Sequence, residues 1–172
     1  MLRTPVIALA AILALFSTCA MAQHHDHADS GGGGTASMTA RPIKALSAQQ
    51  IDDLRNGRGM AQSTPAELNG YPGPKHVLEL ADQLGLTPQQ RAKATALFAQ
   101  MRTEAVPLGE RHIAEEAALE ALFADRRATL DATTTVVAAI GRTQAELRLA
   151  HLKYHLLMAD AMTPDQIRQH AT

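Results

Sequence analysis

The chain has 172 residues, with 16 Lys and Arg against 17 Asp and Glu, for a formal net charge of −1. This near-balance leaves no basic surplus to neutralise a phosphate backbone, so a general nucleic-acid binder is not expected. Aromatic residues make up only 3 % and tryptophan is absent, so any core must be built from Leu, Ala, Met and Ile.

The N-terminus reads as a secretory signal. Arg3 supplies a positive charge, Val6 to Phe16 is unbroken apolar sequence, and Ala20-Met21-Ala22 is a small-x-small cleavage site. As a helix the apolar run would span ~16 Å, about half a bilayer core. Cleavage after Ala22 is therefore expected in place of a stable membrane anchor. Residues 1–22 are assigned to the signal and the mature chain to the periplasm. Cys19 offers a lipoprotein alternative, but Phe16-Ser17-Thr18 makes a poor lipobox. Cleavage would remove Arg3 and the single cysteine, leaving 15 basic residues (16 less Arg3) against 17 acidic ones. No disulfide could then form, and any metal would have to be held by imidazole, carboxylate, thioether or backbone groups.

Residues 23–45 are expected to be a disordered tail on a flexible linker. His24, His25, Asp26 and His27 come first, and Gly31 to Gly34 carry the full backbone-entropy cost with no side chain to offset it. A tail with no core to fill has little folding use for three histidines and an aspartate, so metal capture is their natural role. A merely solubilising tail is the alternative.

From residue 46 onward a helical domain is expected, punctuated by one signal used three times. Leu46-Ser47-Ala48-Gln49-Gln50, Leu86-Thr87-Pro88-Gln89-Gln90 and Met162-Thr163-Pro164-Asp165-Gln166 each place Ser or Thr three residues before Gln. That is the capping-box spacing, and Pro88 and Pro164 fall at the first helical position, where a missing N–H costs nothing. Helices should start near 48, 88 and 164, with Thr87, Gln90, Thr163 and Gln166 as capping residues. The turn-rich stretch 56–74 should be a loop, followed by a short helix over about 75–84 that Gly85 ends. A long helix should run from Pro88 to about Asp125, kinked and not broken at Pro107. A second should cover about Leu130 to Ala161, with Val137, Ile140, Leu147, His151, Tyr154, Met158 and Ala161 on one stripe. The short link predicts that the two lie antiparallel. No run alternates like a strand, so the fold expected is all-α: a long helical hairpin with shorter flanking helices. So thin a core is often completed by a second copy, and a homodimer is expected.

An export signal with two Leu/Met-Thr-Pro-x-Gln elements bracketing a helical hairpin resembles the periplasmic LTxxQ-motif family. That family includes Spy/CpxP-type adaptor chaperones and related heavy-metal sensor and resistance proteins. The likeness covers about residues 70–170, and Tyr71 to Gln90 is the part most similar to the metal-sensor branch. It implies a hooked or cradle-shaped hairpin, often dimeric. The implied roles are binding unfolded envelope proteins, tuning an envelope sensor protein, or sensing and buffering metals. Two departures stand out. Met162 replaces the leucine of the second element, and the early region offers only His76 where the cobalt–nickel sensor type carries a His-x-x-x-His pair.

The candidate ligands in the hairpin are His151 and His155, which share a helix face, Met158 one turn on, and Glu104, expected opposite His151. Such a set suits Zn, Cu or Ni. The competing reading makes His151 a core histidine and His155 a surface one. His76 reads as structural, and Glu110, Glu115, Glu116 and Glu120 beside His112 as a solvated face. No HExxH, GxSxG or phosphate-loop pattern is present, so no enzyme activity is expected. The reading is a periplasmic metal-binding protein for heavy-metal sensing, buffering or resistance. The alternative is an adaptor chaperone for unfolded envelope proteins.

Overall fold

The computed structural model describes residues 38–170, and the expected signal, Cys19 and the expected His24–His27 tail lie outside them. Among the described residues the regular structure is entirely helical: α1 (Ala48–Arg55), α2 (Thr64–Glu67), α3 (Pro74–Glu79), α4 (Pro88–Ala124), α5 (Leu130–Ala159) and α6 (Pro164–His170).

All three capping boxes form. The Ser47, Thr87 and Thr163 hydroxyls accept the backbone N–H of Gln50, Gln90 and Gln166 at 3.1, 3.2 and 3.2 Å. The glutamine carbonyls accept the N–H of Ser47, Thr87 and Thr163 at 2.8, 3.0 and 2.9 Å. These bonds satisfy donors that a helix start leaves open. The second and third boxes are also joined to each other. Gln90 Nε2 donates to Gln166 Oε1 at 2.8 Å, and Gln166 Nε2 donates back to Gln90 Oε1 at 3.1 Å. Gln90 Nε2 further reaches the Ala161 carbonyl at 3.1 Å, and Gln166 Nε2 the Leu84 carbonyl at 3.2 Å. The two helix starts are thus clasped by a reciprocal amide pair.

The long helices pack on each other antiparallel: Glu104 meets Tyr154, Arg111 meets Glu146 and Glu115 meets Thr143. α4 is continuous through exposed Pro107. α3 ends at Glu79, earlier than the pattern suggested, and turns lead on to Gly85 at φ +58°. The core gathers Leu54, Val77, Leu97, Tyr154 and Met158 at the end of the hairpin where the helix starts are clasped. On α4 the buried stripe stops at Ile113; Leu119 and Leu122 are half-buried and Phe123 is exposed. Val137 on α5 is likewise 50 % exposed.

One close approach sets the packing of α1. A Cβ on Gly109 would lie 2.4 Å from the Leu54 carbonyl oxygen. Only glycine lets the end of α1 sit directly on the backbone of α4. The segment before α1 is also engaged. Ile43 packs against the core, and Lys44 pairs with Glu120 through its ammonium and its N–H. Folded contacts therefore reach back into the stretch assigned to linker. The glutamate face on α4 is covered only in part: Glu115, Glu116 and Glu120 are half-buried, while Glu110 stays exposed. Glu110 pairs with Arg55 at 3.3 Å, Glu115 accepts from Thr143 at 2.9 Å, and His112 is buried.

Candidate functional site

A cavity of about 520 Å³ opens where the 56–63 loop, the start of α3 and α5 meet. His151, His155, Ser63, Glu67 and His76 line it, with Arg58, Lys75 and Arg102 among its other walls. Alpha-helical spacing brings His151 and His155 to one face, and both are buried, at 5 % and 6 % exposure. The loop's turn residues shape the opposite wall, where Met60 and Ala61 both take positive φ, at 41° and 62°.

The two imidazoles are held differently. His155 Nδ1 lies 2.8 Å from the Tyr71 carbonyl oxygen. A carbonyl only accepts, so Nδ1 carries a proton, and the ring's other nitrogen is Nε2. That nitrogen stands 3.7 Å from Glu67 Oε1, which also accepts the Ser63 hydroxyl at 3.0 Å. The Cε1 edge of the ring lies against Gly73, where a Cβ would come within 2.7 Å of His155 Cε1. His151 has a buried Nε2 with no hydrogen-bond partner. Burial, aided by the nearby His155, pushes its pKa below the usual 6.5 and keeps it neutral. At the edge of this region His170 of α6 also has a buried, unpartnered Nε2. Burial lowers its pKa first, and His76, Glu67 and His155 are close enough to act on it.

The other expected ligands lie elsewhere. Glu104 sits opposite Tyr154, one turn beyond His151, because the helices pair about three residues out of the register assumed from the linking turn. It accepts from Tyr154 at 2.6 Å and from Lys153 at 2.8 Å. Lys153 above all, with Tyr154, holds this carboxyl below the usual carboxylate range. Burial and Glu104 together push the Tyr154 phenol up to about 12. Met158 is a core residue with no exposed surface. Among the described residues no three His, Asp or Glu side chains stand in a ready metal-binding group. Ser63, Glu67, Gly73 and His170 were not picked out from the sequence. For Ser63, Glu67 and Gly73 the cue available was the turn-rich 56–74 stretch itself, since connections so long in a small helical protein tend to carry sites; for His170 there was none.

No family model matches the chain, and neither a curated protein nor a solved structure does.

Proposed function

We propose that the chain is a periplasmic metal-binding protein, used for sensing, buffering or resistance, whose folded site is the His151–His155 cavity. The observation that carries this reading is the pairing of His155 Nδ1 with the Tyr71 carbonyl. Metal-ligating histidines are commonly oriented in this way, one ring nitrogen donating to a backbone carbonyl while the other faces the ion. Here the other nitrogen faces Glu67, and the orphaned Nε2 of His151 belongs to the same cavity. A Zn(II), Ni(II) or Cu(II) ion drawing in His155, His151 and Glu67 would satisfy a buried group that is costly to leave open. Closing such a site needs side-chain movement, which suits a reversible sensor or buffer.

The test is calorimetric titration with each ion, using a chain in which His24, His25 and His27 are replaced by alanine so that only the folded site is read. Binding should raise the melting temperature, and His151→Ala/His155→Ala should abolish both signals. No binding to the tail-substituted chain would refute the folded site.

A second reading, the adaptor chaperone, is favoured by one observation. Phe123 is 59 % exposed and, with Leu119, lines a groove of about 480 Å³ beside Lys44 and Ala45. Suppression of client aggregation that Phe123→Ser reduces would support it.

A further inference from the structure

The His151–His155 cavity is larger than a metal ion needs. Its volume of about 520 Å³ falls within the range of small-molecule sites, roughly 300–1,000 Å³. An ion with a few waters, at ~30 Å³ each, would take up only a fraction of it. Part of the wall is apolar, because Met60, Phe98 and Met101 line it alongside the two imidazoles. An organic body covers such a surface, whereas water against it is unfavourable. On the same lining His151 has a buried Nε2 with no partner.

Charge points the same way. Glu67 is the only carboxylate on the lining, against Arg58, Lys75 and Arg102. Arg58 is committed to Asp52 and Asp53, at 2.5 and 2.7 Å, and Lys75 stands 3.5 Å from Glu79. Arg102 has no acidic partner among the described residues. A divalent ion held by His155, His151 and Glu67 would meet a single negative charge and leave the site cationic beside this guanidinium. Three protein donors also leave the ion incomplete, since even a four-coordinate ion then keeps one position open. Carboxylate oxygens on a small organic body supply what is missing: donors for the ion, negative charge, and volume.

We propose that the cavity takes its ion as a complex with a small organic polycarboxylate, a reading that rests on the metal site proposed above. His155, His151 and Glu67 hold the ion, carboxylate oxygens of the small molecule fill its remaining positions, and Arg102 pairs with a carboxylate turned away from the ion. The ligand recognised is thus the metal chelate and not the hydrated ion. A soluble polycarboxylate ordinarily competes with a protein for its metal. Here it completes the site, so that adding it strengthens retention of the ion.

Equilibrium dialysis of the tail-substituted chain against Ni(II) and radiolabelled citrate reads ion and anion separately. Citrate should be retained one-to-one with Ni(II) and scarcely at all without it, and the apparent affinity for Ni(II) should rise as citrate is added. Arg102→Ala should weaken citrate retention about tenfold with unchanged helical circular dichroism, since Arg102 is exposed. Arg102→Lys should recover part of the loss. Ni(II) retained while citrate stays outside, or Ni(II) stripped by citrate, would overturn this inference and leave the metal site standing. Citrate retention indifferent to Arg102→Ala, or independent of Ni(II), would overturn it too. Retention of neither Ni(II) nor citrate would remove the metal site along with it.

Discussion

Replacing Gln90 by glutamate separates what a capping box does locally from what this one does in the tertiary fold. Locally the change is mild, because Glu serves as well as Gln at that position and a carboxylate near a helix N-terminus is favourable by about 0.3–1 kcal/mol. In the fold Gln90 Nε2 donates to Ala161 O and to Gln166 Oε1, and a carboxylate donates nothing. Gln166 cannot simply turn its amide over. Its oxygen accepts the Thr163 N–H and its nitrogen serves the Leu84 carbonyl. Two lost bonds at about 0.5–1.5 kcal/mol each, less the helix-end gain, leave a net loss of about 1–2 kcal/mol. Urea unfolding at neutral pH reads this directly. In a double-mutant cycle with Gln166→Ala, the cost of Gln90→Glu should shrink, since half of the clasp is already gone. If Gln90→Glu leaves stability unchanged or raises it, the clasp contributes nothing and the boxes are only caps.

Gly109→Ala should destabilise by about 2 kcal/mol, overpacking against Leu54 outweighing the ~1 kcal/mol that alanine normally adds in a helix. Gly141→Ala, at an open position, should stabilise the dilute chain, and equal effects at the two glycines in thermal melts would refute the close approach. Because burial lowers the His151 and His170 pKa values below 6.5, the unfolded state binds more protons as the solution is acidified. Stability is thus full above about pH 6.5 and declines as pH falls toward the folded-state values. His151→Gln/His170→Gln should flatten that decline in urea melts taken at successive pH values. A peptide beginning at Gln23 places histidine third, so its amine, two amide nitrogens and the His25 imidazole can hold Cu(II) or Ni(II) in a square plane that Zn(II) disfavours. Acetylating the amine should abolish the visible d–d band of the Cu(II) complex, and an unchanged band would exclude the terminal site.

Elements defined by neighbours in the chain were legible without coordinates. The three capping boxes, the starts at Ala48, Pro88 and Pro164, and the two long helices follow from residues at most four apart, where the physics is local. The inner stripe of α5 followed from periodicity alone, save Val137, which proves exposed. What periodicity could not supply is the register and angle at which elements meet. That decided that Glu104 faces Tyr154 and not His151, and that Gly109 receives the backbone of Leu54. It also decided that Gln90 and Gln166, 76 residues apart, complete each other's hydrogen bonding. The cavity belongs to the same category. His151 and His155 were visible as a helical pair, but Ser63, Glu67 and Gly73 come from the short helix α2 and its flanking turns, whose path depends on the surfaces they lie against. Local hydrogen bonds and side-chain period are written into adjacent residues, whereas the partners of a buried polar group are chosen by packing across the whole chain.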